Sequence, residues 1–275
     1  MSIRITVDVE NLSGSISDDT FIGPLVPLLE LLEQHQTKAT FFVVGALSSL
    51  WREPLLLLSK SGHEIGLHGH THEHLGSLGP RKFGDSLIEG REALENVIGK
   101  EVKGFRAPYF SLTKQSQWAH EILFNSGFQF SSSVLPAWNP QAGFATAPKH
   151  PFIWSSGLVE FPVPTFGLGR FGLTLLGGAY LRLIPKPVFK IARLIGSNRP
   201  GEWSYCHPYD FDVAAKFETI RESSWIFSKL LFMRRNLMLE RVGELLQLGR
   251  SDSFEQQIGE KGFIDSLERF EPRKG

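Results

Sequence analysis

The chain has 275 residues, 41 % of them hydrophobic and 21 % charged, enough apolar material for one large domain with a full core, so residues 1–275 are read as a single unit. Basic and acidic side chains number 29 each, and this balance weighs against nucleic acid as the main partner, which a basic excess would mark. A lone cysteine, Cys206, rules out an internal disulfide. The first residues carry no apolar leader core and no apolar run reaches the ~20 residues that span a bilayer, so a cytoplasmic protein is expected.

Residues 3–9 alternate and are rich in β-branched side chains, which predicts a strand. Leu25, Leu28, Leu29 and Leu32 then recur at helical spacing over 23–35, with Pro24 near the start where proline is tolerated. The continuous apolar run 39–44 has the pattern of a buried parallel strand. Residues 46–60 read as a helix, 64–68 as a short strand, 81–98 as a helix, 103–106 as a fourth strand and 114–125 as a fourth helix. This alternation predicts an α/β fold with a parallel sheet, either a barrel or a doubly wound sheet, with its chemistry at the carboxyl ends of the strands.

Residues 131–172, rich in Pro, Gly, Ser and aromatics, read as long loops with short strands. The strongly apolar stretch 173–195 is broken by Pro185 and Pro187, so it is read as a buried helix pair; a sharper reading makes it an apolar flap that meets a lipid-linked substrate. Residues 203–206 suggest another strand, and 216–247 are helical in pattern with interspersed charge.

Nine histidines are present, and five fall between His63 and His74, directly after a predicted strand. A catalytic zinc-type site needs about three protein ligands and an open position. His68 and His72 have a spacing that suits it, although such a cluster also suits a solvated loop. Asp8 and Glu10 stand two apart, so on a strand they share a face at its carboxyl end; a polar strand end open to solvent is the plainer alternative. Arg106, before the Pro108 loop, is placed to pair with a carboxylate. His207, after the strand 203–206, brings one more ionisable group to the same end of the sheet. His70 and His74 are left off the site.

Taken in order, Thr6-Val-Asp8-Val-Glu10, Glu64-Ile-Gly-Leu-His68 through His72, Arg106-Ala-Pro108-Tyr109 and His207 resemble the polysaccharide deacetylases, the NodB-homology group of carbohydrate esterases. The tract from Phe161 through Gly178-Ala-Tyr180 to His207-Pro-Tyr-Asp-Phe-Asp212 is similar to the subgroup found in bacterial exopolysaccharide and surface-glycan clusters. The resemblance implies a distorted (β/α) barrel of about seven strands. It implies Asp8 as general base, Arg106 as the residue that orients it, His207 as general acid, and His68 and His72 as metal ligands. It also puts Tyr109 in the loop whose backbone N–H binds the oxyanion of the substrate. The metal it implies is divalent, zinc first, with cobalt, nickel or iron able to use the same ligands.

Two positions depart from the family pattern. Val9 stands where a second aspartate usually ligates the metal, and Glu10, on the face of Asp8, is expected to take that role. Ser131 stands where an aspartate often tunes the catalytic histidine, which leaves Asp210 or Asp212 as substitutes. Trp138, Trp154 and Phe110 could stack on sugar rings or pack in the core.

The function expected is metal-dependent removal of an N-acyl group, acetyl first, from an amino sugar in a glycan or lipid-linked saccharide, with peripheral membrane contact and oligomerisation compatible with it. Alternatives are an amidohydrolase acting on a small molecule or a formylated lipid-linked sugar, an inactive glycan-binding domain, motivated by Val9, and a metal-buffering protein built on the histidine cluster.

Overall fold

The computed structural model describes residues 2–10, 21–139, 142–167, 170–199, 201–220 and 224–272. Strand β1 (Arg4–Val9) alternates: Ile5, Val7 and Val9 enter the outer core, while Thr6 and Asp8 point to the opposite side. Helix α1 (Ile22–Gln34) lays Leu25, Leu28 and Leu32 on the outer face. In β2 (Thr40–Val43), Phe41 and Val43 join that layer and Phe42 faces inward. The chain continues through α2 (Arg52–Lys60), β3 (Glu64–Leu67), α3 (Leu75–Ile98), β4 (Gly104–Phe105), α4 (Ala119–Asn125), β5 (Phe130–Ser131), β6 (Phe152–Trp154) and β7 (Val159–Glu160). Then come α5 (Gly178–Leu183), α6 (Lys186–Ser197), β8 (Trp203–Cys206), α7 (Trp225–Phe232), α8 (Met238–Leu246), α9 (Phe254–Ile258) and β9 (Glu268–Phe270).

The strands pair in the order β8-β1-β2-β3-β4-β5-β7-β6-β9. From β8 to β7 every pairing is parallel, as helical crossovers require, and this run supplies the seven barrel strands expected from the sequence. No ladder joins β7 to β8 among the described residues; the Trp203 indole spans that seam by donating to Pro162 O at 3.1 Å.

The barrel interior is a packed core, not a pore. Phe42 and Phe130 meet edge to face at 6.4 Å, and Phe130 meets Phe161 at 5.9 Å. Phe254, from α9, plugs the floor: its ring lies 4.4 Å from Phe161, 5.3 Å from Phe130, 6.3 Å from Trp203 and 6.4 Å from Phe42. Glu64, at the start of β3, fixes that plug by accepting from Phe254 N at 3.2 Å and Glu255 N at 2.8 Å, a carboxylate on the orphan donors of a helix start.

Several predicted spans are corrected. The helix expected at 46–60 is a 3₁₀ turn at Gly45–Leu47 followed by α2, because Trp51 between them is drawn into the core to stack on Phe21 at 4.8 Å. The helix at 81–98 starts earlier, at Leu75, and breaks at Gly79 (φ 69°), ahead of Pro80. The helix at 114–125 is confined to α4. The helical region 216–247 is two helices, α7 and α8, parted where Arg234 adopts a left-handed backbone (φ 55°). The stretch 173–195 does form a helix pair, but not a buried one: Leu176, Leu181, Phe189 and Ala192 face the core while Val188, Ile191, Leu194 and Ile195 face outward.

Candidate active site

The carboxyl ends of β1, β3, β4 and β8 bring Asp8, Glu10, His68, Arg106 and His207 to one mouth of the barrel. Since Val9 is spent on the outer core, the next residue returns to the inner side, and Glu10 faces His68. Glu10 Oε2 lies 3.4 Å from His68 Nε2 and abuts His72 Nε2. The potential ligand atoms of Glu10, His68 and His72 all fall within 4.8 Å of one another.

The loop between the two histidines needs unusual backbone. Gly69 (φ 68°) turns the chain directly after His68, and a Cβ there would crowd Pro108 Cγ at 3.1 Å. His72 itself holds φ 58°, a costly conformation for a non-glycine residue and one characteristic of functional sites. His68 Nδ1 is 3.0 Å from Arg106 O, which marks Nδ1 as the protonated nitrogen and presents Nε2 as a lone pair.

The donor set fits a divalent cation. Two imidazoles and one carboxylate form a zinc-type set, and the His72 Nε2, buried, faces the Glu10 carboxylate with its ligand atom among the three that converge. Burial raises the Glu10 carboxyl pKa, but the adjoining His68 and His72 outweigh it and hold Glu10 well below the ordinary range, as an anion.

Asp8 sits beside this cluster in the grip of Arg106, whose Nη1 donates to Asp8 Oδ1 at 2.6 Å and to Thr6 Oγ1 at 2.8 Å. The guanidinium is fully buried. Its Nη2 and Nε donate to Ser132 Oγ (2.9 Å) and Ser132 O (3.2 Å), and its faces meet Phe42 at 4.1 Å and Trp203 at 4.2 Å. Flat walls and four acceptors hold the guanidinium in one orientation, and hence Asp8 in one as well.

Across Glu10 stands His207, with Nε2 at 3.8 Å from Glu10 Oε1. Its Nδ1 is 2.9 Å from Asp210 Oδ2, and the same oxygen accepts from His207 N at 2.9 Å. Of the two substitutes for the aspartate missing at Ser131, the structure selects Asp210. Asp212 instead caps its own turn by accepting from Ala215 N at 3.0 Å. Behind Asp210 lies Arg182, fully buried, with Nη2 at 2.9 Å from Asp210 Oδ1. Burial opposes charge on His207, yet the hydrogen bond and charge of Asp210, with Glu10 and Asp8, raise its pKa to about 9. Burial likewise works against the Asp210 anion, but His207 and Arg182 hold its pKa below the usual value.

Tyr109 also takes a left-handed backbone (φ 59°), and its exposed ring meets His72 edge-on at 4.8 Å. Sequence reasoning missed Arg182, Ser132, Phe42 and Tyr209, whose ring stacks on His207 at 4.5 Å. For Arg182 a clue existed, as it is the sole charge between Leu173 and Pro185. The two histidines left out do serve elsewhere: His74 Nδ1 accepts from Gly76 N at the start of α3, and His70 turns to Glu89 at 3.6 Å. Of the three aromatics considered for sugar stacking, Trp154 is core and Phe110 packs on Tyr205 at 5.1 Å, whereas Trp138 is exposed.

The model of the family described as Polysaccharide deacetylase matches residues 22–123, which include His68, His72 and Arg106. A second, Domain of unknown function (DUF3473), matches residues 132–258, which include Arg182, His207 and Asp210. Curated relatives include a peptidoglycan deacetylase of Helicobacter pylori, 28% identical over 46% of this chain and 43% of its own length. A peptidoglycan-N-acetylglucosamine deacetylase of Bacillus cereus is 32% identical over 35% of this chain and 36% of its own. A chitooligosaccharide deacetylase of Sinorhizobium fredii is 29% identical over 36% of this chain and 44% of its own, so the matches span less than half of these relatives. Among solved structures, a Mycobacterium smegmatis protein classed with the polysaccharide deacetylases superposes with TM-score 0.53 at 22% identity, covering 92% of this chain and 93% of that one. A family 4 carbohydrate esterase from Streptomyces lividans superposes with TM-score 0.50 at 14% identity, covering 94% and 95%. These two likenesses concern the fold; residues 22–123 are similar in sequence to the polysaccharide deacetylase family, and the described barrel shares the fold of the two solved structures.

Proposed function

We propose that the protein hydrolyses the N-acetyl group of an amino sugar within a glycan, in a reaction that depends on a divalent metal, zinc by preference. The observation that carries this reading is the placement of Glu10: one carboxylate faces His68 and His72 through one oxygen and His207 through the other, next to the Asp8–Arg106 pair. The names of the relatives, deacetylases of peptidoglycan and chitooligosaccharides, point to the same substrate class.

An unactivated amide needs an electrophile, a base for water and an acid for the departing nitrogen. Glu10, His68 and His72 would hold the metal, which when bound supplies the Lewis acidity that polarises the acetyl carbonyl. Asp8, aimed by Arg106, takes a proton from the attacking water as its oxygen bonds to the carbonyl carbon. His207, kept cationic by Asp210, gives its proton to the amide nitrogen as the C–N bond breaks, releasing acetate and the free amino sugar. The loop at Tyr109 borders the same cluster, and we assign its backbone to the developing oxyanion.

The test combines metal content with acetate release from N-acetylglucosamine oligomers, for the wild type, Glu10→Ala and Asp8→Asn. About one metal per wild-type chain, with Glu10→Ala losing metal and acetate and Asp8→Asn losing acetate alone, is expected. A wild type that releases no acetate from any N-acetylated oligomer when loaded with metal overturns the proposal.

A further inference from the structure

Among the described residues, no element covers the apolar outward faces of α6 and α7. On α6, Val188, Ile191, Leu194 and Ile195 are exposed, Ile191 to 60%. On α7 and before it, Phe217, Trp225, Ile226, Phe227, Leu230 and Met233 are exposed, Ile226 to 67%. Ring contacts join Phe217 to Trp225 (6.3 Å) and to Phe232 (5.4 Å), so the α7 patch is continuous rather than a scatter of single residues.

Both helices are pinned to one cluster. Arg182 Nη2 on α5 donates to Leu231 O on α7 at 2.6 Å, and Arg234 Nη1, just after α7, donates to Leu183 O at 3.5 Å. Helix α6 is held on α8 through Arg193 Nη1 to Glu244 O at 2.9 Å and Arg241 over the Phe189 ring at 4.4 Å. These contacts seat both helices on the fold, and the α7 side adjoins the loop that carries His207, where Arg235 Nη1 donates to Asp212 O at 3.3 Å.

Charge identifies the occupant. Residues 178–197 and 224–237 hold Arg182, Lys186, Lys190, Arg193, Lys229, Arg234 and Arg235 and not one Asp or Glu, in a chain whose basic and acidic residues balance. Of these cations Arg182 and Arg235 are buried, Arg234 is bonded to Leu183 O, and Lys186 and Arg193 face Glu240 and Glu244, which leaves Lys190, exposed on α6, and Lys229, over the Trp225 ring at 4.7 Å, to meet an anionic surface. Apolar tips with tryptophan and lysine beside them suit the boundary between acyl chains and anionic headgroups. None of the described helices is long and apolar enough to cross a membrane, so contact through these helices would be in plane. We infer that α6 and α7 dock the protein on an anionic lipid bilayer, with the catalytic mouth held close to it.

The test is co-sedimentation of the full chain with phosphatidylglycerol-containing vesicles and with pure phosphatidylcholine vesicles. The wild type is expected to partition onto the first and far less onto the second, with the difference shrinking at high salt. Ile191→Gln/Leu194→Gln and Ile226→Gln/Phe227→Gln should each weaken partition by about tenfold or more. Lys190→Glu/Lys229→Glu, which leaves the apolar residues intact, should weaken it on anionic vesicles alone. Turnover of a soluble N-acetylated oligosaccharide, or the far-ultraviolet spectrum should that reaction fail, reports that each variant is folded. A wild type that stays in the supernatant with anionic vesicles overturns the inference, as does equal partition onto both lipids. Concentration-dependent dimerisation abolished by the same substitutions would overturn it too, giving the faces to a second copy of the chain.

Discussion

Arg182 meets Asp210 at 2.9 Å in fully buried space behind His207, so the imidazole proposed as proton donor is positioned by a carboxylate that is itself positioned by a guanidinium. Asp210→Asn keeps the shape but removes the charge that favours imidazolium. It is expected to lower kcat within the ~10²–10⁴-fold range of general acid catalysis while leaving KM nearly unchanged. Steady-state kinetics on an N-acetylated oligomer decides this; an unchanged kcat would detach Asp210 from the proton transfer.

Arg106→Ala strands the buried Asp8 carboxylate and removes the slab between Phe42 and Trp203. The expected loss is about 3–5 kcal/mol of stability, as for other buried pairs broken from one side. Urea unfolding measures it, and the double variant Asp8→Asn/Arg106→Ala should cost less than the sum of the single changes.

Metal binding to the folded chain alone should stabilise it. With zinc at 100 times its dissociation constant the gain is about 2.7 kcal/mol, seen as a rise in Tm that chelation reverses. Glu10→Gln and His72→Ala should show no such rise. A wild type whose Tm ignores zinc, cobalt, nickel and ferrous iron would count against the cluster as a metal centre.

Two groups, the half-buried His63 and the buried Glu202, tilt the pH–stability profile in opposite directions between about pH 4 and 7. Burial lowers the His63 pKa to about 4, helped by Lys38, and its Nδ1 accepts from Ala39 N at 3.1 Å. A lowered folded value means this contribution is present above the ordinary value of 6.5 and is lost as pH falls towards 4. Burial raises Glu202 to about 7 despite Arg199, so its contribution is complete below 4.5 and fades as pH rises through 7. Urea titrations should show His63→Asn removing a loss of stability as pH falls from 6.5 towards 4, and Glu202→Gln removing a loss as pH rises from 4.5 to 7.

Phe254→Ala removes the ring that touches Phe42, Phe130, Phe161 and Trp203 at once. A loss of about 3–5 kcal/mol is expected. Hydrogen exchange should then rise at the backbone N–H groups of Phe254 and Glu255, while β1 and β2 keep their protection. Uniform loosening of the whole sheet would contradict the reading of Phe254 as a local plug.

Much of this was legible in the chain. β1, β2, β3 and β8 could be read because alternation and apolar runs are local patterns; Asp8, His68, Arg106 and His207 stand at or just past the carboxyl ends of β1, β3, β4 and β8, and His72 was read from its spacing to His68. Glu10 was reached from period two, which puts it on the face of Asp8, together with the resemblance, in which Val9 stands where a second aspartate is usual. Arg182 was hidden: it stands in an apolar stretch, and its partner arrives on a different loop, so only tertiary structure shows the ion pair. The outward face of α6 was misjudged for a related reason, since a helix apolar on both sides looks buried until its neighbours are known. β9 and α9, with three and five residues, are too short to establish a period.

The barrel floor has a consequence for the order of assembly. Glu64 and Phe254, which meet there, are separated by 190 positions, and Arg4 Nε reaches Asp252 O across 248. Closing so long a loop is a late event, because its entropy must be met before the contact returns anything. During synthesis, β1 to β5 are complete while the space for Phe254 still stands open to water and lined with phenylalanines. Until α9 emerges, the nascent barrel is a hydrophobic cup, and a chaperone that binds apolar surface has its clearest opportunity in that interval.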